Sequence, residues 1–542
     1  MKALKIKRFR MFMDSEKNKD FIGIFLILIS IFLFTILFST FLSGKSAGSQ
    51  LPLLSSQSST MPQLLWSNVS LISTLNNTLD ALNPSIATDS KGNVHIVWAQ
   101  KLPPVLLGEV FYTKLDKFGN TLVSNRQISN FNGTYAFSSS IAVDKQDNVH
   151  IVWEYDKIGR ISLRGTRYTR LDPNGTIVVN GTLLPGTPLG DPQLAIDSQG
   201  NIALAWRGRD RIYYGKFDNQ GNSLIPVTFF NSSFEGEPLQ IKIAIDSEDT
   251  VHIVWMEELI NQDAHTRYSA INSKGSIEVN NFQLDQGLNQ SYNPAIAIDR
   301  NDNVFVSWDS NNASVRKIYL SKINKNGTFE IDRMPLSTNG NIAILVDPLE
   351  HLDIIWQGQG FTQLDNRGNM IINPTTIGTG GPYWSTKSIV DSQGAIHIVW
   401  SDRSLSNAVQ VKYRRSLNPA TITMTGVPKP GSQIQFMLQD IYNTVGNYTF
   451  GFSGGTSQGL NLSDGRKVPL NDDRFLQASL YSPQAIGLNN STGVLDQNSQ
   501  ATVTFNIPSI PLGGTKLYGG FVTQDPTGRI ISISDPVAFT IV

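Results

Sequence analysis

The sequence predicts an all-β chain: a ring of seven four-stranded units, then a smaller β-domain, with one apolar helix ahead of both. Three observations predict it. The first is a segment ending in tryptophan that returns six times. PSIATDSKGNVHIVWAQ (84–100) is followed by SSIAVDKQDNVHIVWEY, PQLAIDSQGNIALAWRG, IKIAIDSEDTVHIVWME, PAIAIDRNDNVFVSWDS, AILVDPLEHLDIIWQGQ and SIVDSQGAIHIVWSDR. The anchors Trp98, Trp153, Trp206, Trp255, Trp308, Trp356 and Trp400 are spaced 55, 53, 49, 53, 48 and 44 residues apart. A period of this length, with strand-like content in every unit, predicts a seven-bladed β-propeller over 64–417. The second is an acidic turn within each repeat, headed by Asp89, Asp144, Asp197, Asp246, Asp299, Asp347 and Asp391. The third is closure. The seventh unit breaks off after its third strand at Tyr413, and LWSNVSLIS (65–73) resembles LVSNRQIS (122–129), the fourth strand of the first unit. The N-terminal segment can complete the last unit and remove an open edge.

Residues 1–20 are a basic tail with Lys2, Lys5, Lys7, Arg8, Arg10, Lys17 and Lys19. Residues 21–43, FIGIFLILISIFLFTILFSTFLS, carry no charge and are long enough to span a bilayer. The positive-inside rule places the tail in the cytoplasm and the rest outside, as a single-pass signal-anchor of the cell membrane. A cleaved signal peptide is the alternative, although the apolar run exceeds the usual length of one. Residues 44–63 are rich in Ser, Gly and Gln and read as a flexible stalk.

Each repeat reads as four strands. A short apolar strand leads to the acidic turn, where Asp accepts from turn amides and Gly tolerates positive φ. VHIVW follows, apolar on both faces, as suits a sheet covered on both sides. A Tyr-bearing third strand ends in a second Asp/Asn–Gly turn, such as LDKFGN or LDPNGT. A weaker fourth strand leads to the next unit. After Asn418–Pro419 the repeat stops, and 418–542 predicts a C-terminal β-sandwich with no competing helix.

The 44 basic and 44 acidic residues cancel, which gives no reason to expect a nucleic-acid partner. The absence of cysteine excludes disulfides, thiol catalysis and cysteine-ligated metals. Many Asn-x-Ser/Thr triplets, among them Asn68, Asn76, Asn132, Asn174, Asn180, Asn231, Asn289, Asn312, Asn326, Asn447, Asn461 and Asn490, are candidate glycan acceptors of an exported glycoprotein. His95, His150, His252 and His397 share one repeat position, one per unit. A repeat position maps to a ring, so these predict a structural hydrogen bond between neighbouring units and no metal site. The turn aspartates stand singly, unlike an EF-hand loop, and predict turn stabilisation. No cofactor is expected.

Antiparallel order puts both regular turns of every unit on one face. The variable segments after each tryptophan share the other face. There Glu154, Arg207, Arg209, Glu257, Glu258, Asp309, Asp402 and Arg403 form the candidate ligand-binding set, and none of them is assigned a catalytic role.

The repeats resemble the sialidase-like propeller superfamily in AxDxxGNxHIVW and in the acidic turn after the Tyr-bearing strand. In that superfamily the second turn often carries an Asp-box, Ser-x-Asp-x-Gly-x-Thr-Trp. LDKFGNTL and LDPNGTIV keep its Asp and Gly at altered spacing and lack its Trp, so the match is to a degenerate Asp-box type. The C-terminal region, with NLSDGRKVPLNDD and GVLDQNSQATVTFNIP, is similar to β-domains appended to secreted repeat proteins. A sialidase implies three arginines for a substrate carboxylate and a Tyr–Glu nucleophile pair. No local motif here assigns those roles. The expectation is therefore a non-catalytic binding or adhesion module for a glycan, peptide or envelope protein. The alternatives are a sialidase-like glycoside hydrolase or lyase and a structural envelope protein.

Overall fold

The computed structural model describes residues 64–542, apart from 74–78, 103–106, 130–133, 158–163, 188–189, 232–235, 261–262, 289, 313–314, 337–341, 357–359, 378–382, 404–407 and 441–445. The basic tail, the apolar segment 21–43 and the stalk lie outside the described residues. Within them, no helix is long and apolar enough to cross a membrane.

The VHIVW segments become the second strand of a sheet in every repeat. Sheet one runs Ala81–Thr88, Val94–Leu102, Leu107–Leu115 and Thr121–Gln127 in that order, all antiparallel. Sheets two to six repeat the order over 134–183, 193–231, 236–283, 291–336 and 342–376. Sheet seven takes three strands from 383–415 and its fourth, Ser70–Leu71, from the chain's other end. Ser70 pairs with Tyr413 and Leu71 with Lys412, and Trp66 bridges Ser416. First strands touch in cyclic order, the last against the first, and so form an inner ring. Each tryptophan packs on the preceding sheet; Trp98 meets Val399, Val411 and Tyr413 of sheet seven, which closes the circle. The seven sheets thus match the propeller expectation in order, antiparallel sense and cyclic contact. Deleting residues 65–73 should expose the edge of Gln410–Arg415 and lower the melting temperature with aggregation; an unchanged melt would show that this strand does not hold the ring shut.

The turn aspartates do more than start a turn. Asp89 Oδ1 accepts the Lys91 and Asn93 N–H groups at 3.0 and 2.8 Å, and Oδ2 accepts the Asn93 side-chain amide at 2.8 Å. His95 Nε2 lies 3.3 Å from that same Oδ2, and His95 Nδ1 lies 2.8 Å from the Tyr112 hydroxyl. The Asp–His–Tyr chain recurs at Asp144–His150–Tyr168, Asp246–His252–Tyr268 and Asp391–His397–Tyr413. The expected histidine bond between neighbouring units is corrected here: each histidine bonds within its own sheet, although Tyr168 also donates its hydroxyl to the Asn219 carbonyl of sheet three at 3.2 Å. Val97 pairs with Tyr112, so Tyr112 lies diagonally across from His95 on the same face. Neighbouring sheets are latched elsewhere. Ser90, Ser198 and Ser247 each give an N–H and a hydroxyl to Asp147, Asp249 and Asp302 of the following turn, at 2.7–2.9 Å.

Beyond Leu417, Ala420–Thr425, Gln433–Asp440, Gln500–Asn506 and Leu488–Asn489 form one sheet. Thr492–Val494, Asn447–Ser453, Lys516–Gln524, Ile530–Ile533 and Val537–Thr540 form a second. Phe436 and Phe505 from the first share one core with Phe450, Phe452, Phe521 and Phe539 from the second. A helix, Arg474–Tyr481, corrects the expectation of none: Asp473 caps it by accepting the Phe475 and Leu476 N–H groups at 3.0 Å. This region meets the turn face of the ring. Lys117 pairs with Asp535 at 2.7 Å, and Arg529 donates to the Leu349 carbonyl at 2.6 Å. Both contacts fall on the regular turns, not on the face bearing the segments after the tryptophans.

Candidate functional site

The segments after the tryptophans are less loop-like than expected. The second strands run on through Leu259, Asn312 and Asp402. Six of the eight candidates therefore lie in paired strand, and three of these, all carboxylates, stand diagonally across from basic residues. Glu257 is fully buried against Arg267, Nε to Oε2 2.7 Å. Asp309 is fully buried against Arg316 and accepts the Asn293 amide at 3.1 Å. Asp402 pairs with Lys412 at 2.7 Å. In each case the base lies two residues off the directly paired position, where a long side chain reaches the diagonal. Each of these three carboxylates is therefore held in an ion pair within its own sheet. Glu258, Arg209 and Arg403 are exposed. Burial pushes the Asp309 carboxyl up to about 6, against the pull of Arg316 and Asn293.

Glu154 behaves differently. It is half-buried, and among the described residues no base stands at ion-pair distance from it. Gly190 and Asp191, which lead into sheet three, fold over it. The Arg207 N–H donates to the Gly190 carbonyl at 3.1 Å and fixes that lead-in. A Cβ on Gly190 would sit 2.9 Å from Glu154 Oε2, so glycine is needed for the carboxyl to lie there. Asp191 adopts a left-handed φ of 60°, unusual for a residue with a side chain. Burial pushes the Glu154 carboxyl above its usual range. The Asp191 N–H, which it accepts, opposes this; the Asp191 charge adds to the rise, and Arg207 and Arg164 temper it. Arg207 also reaches across to Glu237 of sheet four at 2.8 Å, and Arg164 to Asp156 at 2.9 Å.

The result is a carboxyl from sheet two, raised above its usual range by burial, beside Asp191 from the lead-in to sheet three. Two arginines rim the pair. Sequence reading named Glu154 and Arg207 but missed Asp191, which lies ahead of the repeat segment in a stretch of variable length. The only hint was its place between Gly190 and Pro192. A groove of about 530 Å3 also opens on the turn face between sheets four and five, lined in part by Asp246, His252, Tyr268 and Asp302. Asp246 and Asp302 are already engaged in the turns described above.

No family model matches the chain, and no curated protein matches it. Among solved structures it is similar to the polysaccharide lyase Uly1, at 11% identity and a TM-score of 0.42, covering 68% of this chain and 94% of that one. It is similar to the Dos1 propeller at 10% identity and a TM-score of 0.39, covering 65% and 95% of the two chains. The Hadza microbial sialidase Hz136 is similar at 10% identity and a TM-score of 0.36, covering 62% and 65%. Likeness at this level leaves function to be read from the side chains of this chain.

Proposed function

We propose that the seven sheets are the blades of a closed seven-bladed β-propeller with a C-terminal β-sandwich on its turn face, and that the protein cleaves a glycan at its open face as a glycoside hydrolase or lyase. The observation that carries this reading is the Glu154–Asp191 pair. Burial strengthens the hold of Glu154 on the proton that a glycosidic oxygen would take, and Asp191 is placed to supply the negative charge that a developing oxocarbenium ion needs. Arg207 and Arg164 orient hydroxyl or acidic groups of the substrate. Removing a general acid typically costs about 10²–10⁴ in rate. Glu154→Gln should therefore lose at least about a hundredfold in reducing-end release from a polysaccharide panel, with the fold intact. Ultraviolet absorbance from a new carbon–carbon double bond would mark elimination; its absence would mark hydrolysis.

A second reading, glycan capture without cleavage, is favoured by the ion pairs that already occupy both arginines. Binding of an array glycan by a wild-type protein that releases no product would establish capture and sink the catalytic reading. The segment 21–43 supports a membrane anchor with the propeller outside the cell. Protease added to intact cells should then digest everything beyond the stalk.

A further inference from the structure

Lys242, Lys387 and Gln193 occupy one repeat position. Each pairs with the residue just before its sheet's tryptophan: Val254, Val399 and Ala205. The other four sheets place only Ser85, Ser140, Ala295 and Ala343 there. Two long cations and one amide thus stand on the inner ring among small side chains. Lys387 and Gln193 meet across its centre. Lys387 Nζ donates to Gln193 Oε1 at 3.3 Å, although sheets seven and three are not neighbours. Lys242 Nζ reaches the Ile241 and Gln240 carbonyls only at 3.3 and 3.5 Å.

The charge at this level is unbalanced. Burial pulls the Lys242 ammonium down to about 7, the Lys387 charge pulls the same way, and Asp191 alone resists. Burial lowers Lys387 too, again with Asp191 as the acid opposing it. Neither lysine has a carboxylate at ion-pair distance among the described residues. Two partly desolvated ammoniums held near each other are costly unless counter-charge arrives. Asp191 supplies one charge for two.

We propose that the inner ring at this level binds a small oxyanion (a carboxylate, sulfate or phosphate) between the Lys242 and Lys387 ammoniums, with the Gln193 amide as a further donor. Small residues at the other four positions leave room for it. Three donors converging from blades three, four and seven suit a planar or tetrahedral anion better than a halide. The site adjoins the cleavage pair through Asp191, the acid that faces both lysines, although neither lysine takes part in that chemistry.

The test is a melting series on the full chain at pH 6.5, where Lys242 is mostly charged. Acetate, glucuronate, sulfate and phosphate are compared with chloride at equal ionic strength. A bound anion stabilises by mass action, so the wild type should rise by about 2–5 °C and go on rising with the logarithm of anion concentration. Lys242→Met with Lys387→Met should melt at or above the unliganded wild type and show no such rise. A response strongest to acetate and glucuronate assigns a carboxylate; one strongest to sulfate and phosphate assigns an inorganic oxyanion. An equal rise in wild type and double variant would be a general salt effect and would overturn the site. So would a wild type that ignores every anion. Phosphate titration of the Lys387→Gln protein followed by phosphorus resonance guards against a double variant that fails to fold. Binding undiminished from wild type there also overturns the proposal.

Discussion

Replacing Glu257 with alanine is expected to cost about 3–5 kcal/mol of stability. Its carboxylate is fully buried and accepts from Arg267 Nε at 2.7 Å. The arginine side chain is itself only 14% exposed. Truncation therefore leaves a guanidinium in a dry site without the charge that it was folded against. Most of the loss is that stranded charge, not the worth of the pair. Removing both partners together, as Glu257→Leu with Arg267→Met, should recover most of it. Urea or thermal unfolding of the single and double variants measures this. An unchanged midpoint in Glu257→Ala would show that water reaches Arg267 and that Glu257 stands at the surface after all. Arg207→Ala, by contrast, removes a half-exposed pair with Glu237 and should shift the midpoint little.

That contrast shows where the sequence was legible. The tryptophan period and the Asp turns are local signals. Each repeat carries its own strand, turn and anchor, so the sheets follow from one unit read seven times. Closure was legible for the same reason, because LWSNVSLIS copies another unit's fourth strand. The candidate face was less so. Charged residues after a tryptophan look alike in one dimension, yet Glu257 and Glu258 are neighbours with opposite fates. Alternation along a strand sends one inward and the other out. Knowing which requires the register against the third strand, and that depends on how far the strand runs past its tryptophan. Asp191 and the channel lysines were harder still. Lys242 and Lys387 each look like one more polar residue of a first strand, and only ring geometry brings sheets four and seven to a common centre. The histidine position was legible but its partner was not, since Tyr112 is reached diagonally across a register that no single strand encodes.

Acid should unfold the ring over a narrow range. Burial works against the charged forms of Asp89, Asp144, Asp197 and Asp246, yet each is held below the usual carboxylate range. The bonds that outweigh burial come from His95 and Asn93 for Asp89, from His150 and Asn148 for Asp144, from Lys216 and Asn201 for Asp197, and from His252 and the Thr250 N–H for Asp246. Asp144 falls to about 2. A carboxyl lowered on folding gives stability that is complete above its unfolded value and is lost as pH falls toward its folded one. An aspartate displaced as far as Asp144 contributes about 2–3 kcal/mol at neutral pH. Four such turns make the loss below about pH 4 steep. The opposite sign belongs to Asp309 and Asp353, both raised chiefly by burial. They take up protons more readily when folded, so both add stability as pH falls toward the unfolded value, Asp309 from about 6 downward. The melting temperature should therefore hold or rise slightly between pH 7 and about 5, then drop by tens of degrees by about pH 3. Asp144→Asn should melt lower than wild type at pH 7 and converge on it in acid, because the lost charge no longer matters there. A flat profile down to pH 3, or an Asp144→Asn deficit that persists in acid, would show that the turns do not depend on ionised aspartate.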